Sequence, residues 1–254
     1  MDVTVARIES GEKKTVQDSV ADESFLTINL DGQELLTLLC TPHDIGELSV
    51  GFLYSAGLIH LANDIDTLTV DTENSSSHIT LKEPIQDVNS LFKRVYTTGC
   101  GKGMLFYNVA DLSHKNEVPI TRTLPSETIS ALMKTFIKKS NLFNVTGCEH
   151  STAMSDGESI LSFFEDIGRH NSLDKVIGDA VFKRLNMNGS VVLTTGRISS
   201  EMMYKVQKMR AEFIVSRSAP TALSVQLAEK MNITLIGFAR GKRMNVYTVP
   251  ERVF

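Results

Sequence analysis

One cysteine of this 254-residue chain is placed where its thiol should be reactive. Cys100 lies in residues 97–103, TTGCGKG, where glycine on each side leaves the sulfur uncovered and Lys102 favours the thiolate over the thiol. The glycines lack side chains that could pack the segment down, so we expect a mobile loop. An exposed thiolate on such a tether is suited to carrying a group between two sites. The alternative is a turn that simply contains a cysteine.

The two other cysteines have weaker claims to chemistry. Cys40 follows an apolar predicted strand and is interpreted as a small buried hydrophobic residue, whereas the role of Cys148 stays open. Three cysteines without a C-x-x-C pair exclude a secreted disulfide scaffold and a four-cysteine zinc module.

Arginines follow three predicted strands at equivalent positions. The strands are predicted at residues 190–195, 213–216 and 233–238, and the single helices between them imply parallel pairing. Ligands of open parallel sheets bind beyond the carboxyl ends of the strands, where guanidinium groups and helix amides suit phosphate oxygens. We therefore predict a pocket for an anionic, phosphate-bearing ligand; the alternative is that the arginines merely fall in surface loops. The candidate residues at this edge are Thr195, Gly196, Arg197, Ser216, Arg217, Ser218, Phe238, Ala239, Arg240 and Gly241.

A second group of candidates precedes the best-defined predicted helix. Residues 165–171, EDIGRHN, offer Arg169 to grip an anion, and His170 and Asn171 to exchange hydrogen bonds near neutral pH. His150 is a further candidate, although taken alone it also fits a structural histidine. The alternative for the whole segment is a polar helix start with local charge pairing.

The elements that must position these residues form two parts. In the first, residues 3–8 and 25–30 favour strands, Asp31-Gly32 favours a hairpin turn, and a helix is predicted to end near Gly57. Residues 60–95 are interpreted as strand, loop and strand. In the second part, helices are predicted at 125–139, from Asn171 or Ser172 to Leu185, from Ser199 or Ser200 to Met209, and from Ser218-Ala219-Pro220 onward.

The predicted fold class is therefore α/β. Residues 1–120 are expected to form a β-rich N-terminal subdomain that ends in the Cys100 loop, and residues 121–254 an α/β subdomain that binds the ligand.

Composition excludes several classes of protein. Lys+Arg 26 against Asp+Glu 30 gives a net charge of −4, which provides no general attraction to nucleic acid. The first residues lack the apolar segment of a secretory signal, and no later stretch approaches the roughly 18 apolar residues that span a bilayer. We expect a cytoplasmic protein without a membrane or nucleic-acid partner.

Motifs along nearly the whole chain resemble the formate dehydrogenase accessory sulfurtransferase family (FdhD type). They occur in one order and are too many to arise by chance. The motifs are Glu47-Leu48 with Gly51-Phe52-Leu53, the Gly-Cys-Gly loop, Thr146-Gly147 with His150, residues 165–171 with Leu173-Asp174-Lys175, Thr195-Gly196-Arg197 with Ser199-Ser200-Glu201, SRSAPT at 216–221, GFARG at 237–241 and NVYT at 245–248.

The resemblance implies a core similar to the cytidine deaminase fold and a homodimer. It also implies transfer of sulfur from a cysteine desulfurase to the molybdenum bis-guanine-dinucleotide cofactor that formate dehydrogenase needs, with GDP as a mimic of that cargo. The persulfide would form on Cys100, the first cysteine of the family's C-x-x-C loop, whose second cysteine falls at Gly103. Pyrophosphates in the cofactor would account for the arginine-lined crevice.

Two other functions compete with this sulfurtransferase. A cofactor-binding chaperone without sulfur chemistry gains weight from Gly103, because no second thiol exists in the loop. A zinc hydrolase of the deaminase type would need His-x-Glu and Pro-Cys-x-x-Cys. Ser151 and Thr152 follow His150 and the chain has no Pro-Cys-x-x-Cys, so no metal site is predicted.

Overall fold

The computed structural model describes residues 1–86, 93–96, 104–107 and 117–254. The N-terminal part consists mainly of strands, as predicted. β1 (Asp2–Glu9) and β2 (Glu12–Ser19) form an antiparallel hairpin, and β7 (Lys93–Tyr96) pairs with β8 (Met104–Tyr107). A second sheet has the order β4-β3-β6-β5, from β3 (Ser24–Leu30), β4 (Gln33–Cys40), β5 (Ile65–Asp71) and β6 (Ser76–Leu81).

The predicted β3–β4 hairpin and the helix after it are both confirmed. Asp31 and Gly32 form the turn with φ of 49° and 79°, the left-handed conformation that this turn needs. Helix α1 (Ile45–Ala56) ends at Gly57, whose φ of 76° gives the left-handed cap common at helix ends.

Helix α1 crosses α4 (Arg169–Phe182) at a distance that only glycine permits. A Cβ on Gly51 would lie 1.7 Å from the carbonyl oxygen of Asp174, and one on Gly178 would lie 1.9 Å from that of Glu47. The two backbones therefore touch, and apolar residues of β3, α1 and α4 join one buried cluster. The N-terminal sheet is thereby packed onto the C-terminal helices, while the division near residue 120 stays a prediction.

The C-terminal part is built on a six-stranded sheet in the order β10-β9-β11-β12-β13-β14. β11 (Val191–Thr194), β12 (Phe213–Ser216) and β13 (Thr234–Arg240) are parallel, which confirms the predicted pairing. β9 (His150–Ser155), β10 (Ile160–Asp166) and β14 (Arg243–Val246) are antiparallel additions that the sequence analysis did not predict.

Helices cover both faces of this sheet. Val191 and Leu193 point to the face covered by α2 (Ser126–Lys139), whereas Val192 points to the opposite face, covered by α4, α5 (Ser200–Lys208) and α6 (Ala222–Met231). The remaining helices are α3 (Asn141–Thr146) and 3-10 turns at Ala62–Asp64 and Pro250–Arg252. The described chain is thus a mixed α/β protein.

The predicted start of α4 is wrong by three to four residues. The helix begins at Arg169 with Gly168 at the N-cap, rather than after a cap at Asn171 or Ser172. Asp166 explains the difference, because its Oδ1 accepts hydrogen bonds from the Gly168 amide (2.8 Å) and the Asn171 side chain (2.9 Å). The carboxylate thus holds the chain in place before the first turn.

The start of α6 is displaced in the opposite direction. Its N-cap is Thr221, which exchanges hydrogen bonds with Ser224, so Pro220 lies before the helix and not in its first turn. Pro220 instead forms a parallel bridge with Ile198, which links the loops after β11 and β12.

Candidate functional site at the carboxyl edge of the parallel strands

The loops that follow the parallel strands lie side by side. The Arg217 amide donates to the Thr194 carbonyl at 3.2 Å, and the Ser216 hydroxyl donates to the Gly196 carbonyl at 2.6 Å. Phe238, two residues before the end of β13, joins the same edge, since its amide donates to the Ser218 carbonyl at 3.0 Å. The predicted strand ends are therefore gathered along one edge of the sheet.

Gly196 brings His150 and Arg169 together. A Cβ on Gly196 would lie 2.9 Å from the Arg169 Cβ and 3.5 Å from His150 Nδ1. The three residues come from the loop after β11, the start of β9 and the first turn of α4. A larger residue at position 196 would therefore displace its neighbours.

Several buried polar atoms around this point have no hydrogen-bond partner within the described part of the chain. Burying a donor or acceptor unpaired costs about 1–3 kcal/mol, so such atoms often mark places that a ligand or ordered water completes. The atoms are His150 Nδ1, Arg169 Nε, both ring nitrogens of His170 and the Ser199 hydroxyl at the N-cap of α5. Because they combine a guanidinium, two imidazoles and a helix N-terminus, they suit an anion.

The electrostatic surroundings of His150 also favour a bound anion. Its pKa lies below the ordinary value, first because the ring is buried and then because Arg169, His170 and Arg197 add positive charge around it. Arg197 is exposed, so it can reach a ligand without first breaking a buried contact. A bound anion would relieve this mutual repulsion.

Arg217 and Arg240 form a second basic position further along the edge. The Arg240 Nε donates to the Arg217 carbonyl at 3.3 Å, and Arg240 is itself exposed. Phe238, at the irregular pairing of β13 with β14, has a φ of 52°, a conformation that bulky residues adopt rarely and that is enriched at functional sites.

Other candidates at this edge have structural contacts. The Thr195 hydroxyl accepts from the Ser151 amide at 3.0 Å, and the Asn171 side-chain amide donates to the Leu39 carbonyl at 2.8 Å. Ser216 is fully buried, Ala239 belongs to the core cluster under α2, and Gly241 forms the β13–β14 turn with a φ of 59°. These residues support the structure of the sheet edge, and their predicted contacts with a ligand stay predictions.

The acidic residues before α4, Glu165 and Asp166, also make structural contacts. Glu165 accepts from the amides of Leu142 and Phe143, both at 3.1 Å, and so caps α3. Asp166 pairs with Lys175 at 2.8 Å, with both side chains fully buried.

The cysteines differ in their surroundings. Cys100 and Gly103 lie outside the described residues. Cys40 is fully buried, as predicted, and burial raises its pKa to about 12 with help from the nearby Asp166 charge. Cys148 is exposed and has a free thiol.

The described ranges contain neither a cluster of metal ligands nor a membrane-spanning helix. No group of three or more His, Cys, Asp or Glu side chains there could hold a metal ion. In the same ranges, no helix has the length and apolar character needed to cross a bilayer.

Comparisons with known proteins agree with this architecture. Residues 21–254 match the model of the FdhD/NarQ family. A Bacillus subtilis protein named sulfur carrier protein FdhD is 39% identical over 250 residues, which are 98% of this chain and 95% of that protein. A Staphylococcus haemolyticus protein of the same name is 38% identical over 253 residues, with the same coverage of 98% and 95%.

A solved structure has a similar fold. It is a crystal structure from Desulfotalea psychrophila, described provisionally as a formate dehydrogenase accessory protein. It aligns with a TM-score of 0.78 at 26% identity and covers 100% of this chain and 99% of that one.

Proposed function

Because the chain belongs to the FdhD/NarQ family, we propose that it is a sulfur carrier with sulfurtransferase activity that serves formate dehydrogenase. Cys100 takes sulfur from a cysteine desulfurase and passes it to the molybdenum bis-guanine-dinucleotide cofactor, which is cargo and not a resident group. The names of relatives that match over nearly the whole chain support the carrier role. The observation that carries the cargo assignment is the set of buried polar atoms around Gly196 that have no hydrogen-bond partner in the described part of the chain, with the Arg169 guanidinium among them.

Loading of Cys100 is a thiol exchange. The Cys100 thiolate attacks the outer sulfur of the desulfurase persulfide, whose S–S bond breaks while the desulfurase thiolate leaves with the electron pair. The sulfane sulfur then stands on Cys100 as a persulfide, and the desulfurase returns to its thiol form. The oxidation level moves with the sulfur atom, so the exchange needs no external oxidant or reductant. Lys102 and the flanking glycines favour this step by stabilising the thiolate and leaving it accessible.

The cargo would occupy the carboxyl edge of the parallel strands. Arg169 with His150 forms one basic position, and Arg217 with Arg240 forms another, so each can take a diphosphate arm of the cofactor. The exposed Arg197 supplies charge beside the first position. The same proposal includes a deaminase-like core, a homodimer and a cytoplasmic location.

A cofactor-binding chaperone without covalent sulfur chemistry is the second candidate. Gly103 favours it, because the loop has no second cysteine to resolve a persulfide. The two candidates make the same prediction for cargo binding and opposite predictions for loss of the Cys100 thiol.

Cells that lack their own copy of this protein separate the two functions. A sulfur carrier requires that Cys100→Ala abolish formate dehydrogenase activity while GDP binding by the purified variant persists. The matched control is Cys148→Ala, which removes an exposed thiol elsewhere and should leave the enzyme active. Full formate dehydrogenase activity with Cys100→Ala would reject sulfur transfer through this residue and favour the chaperone.

A further inference from the structure

Glu201 reaches from α5 to His170 in the first turn of α4. Its Oε2 lies 2.9 Å from His170 Nε2, and the side chains are only 18% and 25% exposed. The ring N–H is not directed along the line between the two atoms, so the contact is mainly electrostatic. Glu201 belongs to none of the ligand-binding positions described above, yet it is the carboxylate next to the cationic site.

The charge states of the pair follow from their surroundings. Burial lowers the pKa of His170, and the contact with Glu201 opposes this shift only in part. Burial by itself would raise the pKa of Glu201, but His170, Arg169 and Lys205 outweigh it and the pKa is lowered. The directions of the two shifts favour an ionised Glu201 beside a neutral His170 at neutral pH, and the charges of Arg169 and Lys205 keep Glu201 ionised when His170 is neutral.

This combination fixes which ring nitrogen bears the proton. Nε2 is the ring nitrogen near the carboxylate, 2.9 Å away, and it carries positive partial charge when protonated and negative partial charge when not. The negative carboxylate therefore favours the proton on Nε2, and Nδ1 becomes an acceptor. Nδ1 is buried and finds no donor among the residues that the structure describes. The charged groups that act on His170 are Glu201 and Lys205 of α5, Arg169 of α4 and, from the facing strand, His150 of β9.

The neighbouring cation is already engaged. Lys205 Nζ lies 2.6 Å from Asp174 Oδ1, which also accepts from the Ser55 hydroxyl at 2.6 Å. This contact directs the lysine towards Asp174 and leaves the carboxylate of Glu201 to His170.

We propose that Glu201 is a positioning residue: it holds His170 in the Nε2–H tautomer, so that Nδ1 accepts a hydrogen bond from an N–H or O–H group of the cargo. The inference rests on the proposed function, since it needs a ligand at this edge. The proposal requires that the ligand offer a hydrogen-bond donor to His170 Nδ1, whereas the other groups of the site recognise anions.

GDP titration at pH 7.5 tests the role of Glu201. Glu201→Leu removes the carboxylate at similar volume and should weaken GDP binding about tenfold, the loss expected for one buried hydrogen bond. Glu201→Gln keeps an oxygen that can face Nε2–H and should recover most of the affinity. The matched control is Glu229→Leu at an exposed position of α6, which should change nothing.

A double variant separates positioning from a merely structural role. His170→Ala should weaken binding as much as Glu201→Leu does, and adding Glu201→Leu to His170→Ala should cost nothing more. Equal, additive losses from both changes would overturn the proposal, as would unchanged GDP affinity in Glu201→Leu.

Two measurements would not change if Glu201 had only a structural role. They are the tautomer of His170 and the pH dependence of GDP affinity. Nitrogen-15 spectra of labelled histidine should show His170 protonated at Nε2, with the Nδ1 signal shifting on addition of GDP. Wild-type affinity should fall in acid as Nδ1 becomes protonated, and in Glu201→Gln this fall should move to lower pH because the carboxylate no longer raises the pKa of His170. Protonation at Nδ1 in the wild type would overturn the inference. Failure of the wild type to bind GDP would instead reject the nucleotide cargo, and the spectrum would still decide the tautomer.

Discussion

Gly196 lies so close to Arg169 that a Cβ at residue 196 would sit 2.9 Å from the Arg169 Cβ. A methyl group must therefore displace Arg169 or the backbone at residue 196, and His150 Nδ1 lies only 3.5 Å from the same point. We expect Gly196→Ala to lower GDP affinity about tenfold, or about 1.4 kcal/mol, in calorimetry. Gly46→Ala is the control, because its Cβ would meet Leu68 at an ordinary 3.6 Å. Undiminished affinity in Gly196→Ala would remove this residue from the binding site.

The crossing of α1 and α4 should be intolerant of any side chain. Gly51→Ala would place a methyl 1.7 Å from the backbone oxygen of Asp174, which no rotamer can avoid. Overpacking commonly costs about 1–3 kcal/mol, and this backbone clash should reach or exceed that range. Urea denaturation of Gly51→Ala against Gly46→Ala measures the difference within one helix. Equal midpoints for the two variants would show that the helices can separate without cost.

The buried pair of Lys175 and Asp166 should be costly to break from one side. Their 2.8 Å contact has no access to solvent, so Lys175→Met leaves an uncompensated carboxylate and should cost about 3–5 kcal/mol in free energy of unfolding. Lys183→Met is the matched control at the end of the same helix, where the side chain is 58% exposed and pairs with Asp179. That surface pair should contribute less than about 1 kcal/mol. Comparable losses in both variants would contradict a special role for the buried pair.

Glu149 should make the protein less stable as the pH rises. Burial and then the charges of Glu165 and Asp166 raise its pKa from 4.5 to about 7, so the folded state holds a proton that the unfolded state has released. The associated stability is present below pH 4.5 and is lost as the pH rises towards about 7. Glu149→Gln cannot ionise and should therefore gain stability over the wild type at pH 8 by the order of 1–3 kcal/mol, with little gain at pH 5.

Urea denaturation from pH 5 to 8 measures this dependence. The exposed Glu229→Gln serves as the control and should follow the wild-type curve throughout. A Glu149→Gln curve parallel to that of the wild type would mean that Glu149 does not titrate in this range.

The parallel strands were predictable because they are short apolar runs, whereas β9 was not. Five of its six residues are buried, yet Ser151, Thr152 and Ser155 break any apolar pattern. They tolerate burial because hydroxyls find partners in distant segments, such as Thr152 with Ser172 at 2.8 Å and Ser151 with Glu165 at 3.0 Å. Sequence periodicity records which residues are apolar but not which polar residues will be paired.

The candidate site was likewise predictable only in part. Strand ends placed Arg197 and Arg217 at one edge, because the topology of parallel strands determines where their ends lie. The contact of Glu201 with His170 joins two helices and could not be read from spacing, although both residues lie in motifs of the chain. Such contacts between helices arise from tertiary packing, so they become visible only in the folded structure.

Intact-protein mass spectrometry decides whether Cys100 carries sulfur. After incubation with a cysteine desulfurase and cysteine, the wild type and Cys148→Ser should each gain about 32 Da, the mass of one sulfur atom, and peptide mapping should place it on Cys100. Cys100→Ser should gain nothing under the same conditions. A wild type that remains unmodified, or a Cys100→Ser variant that gains the same mass, would contradict a persulfide on Cys100.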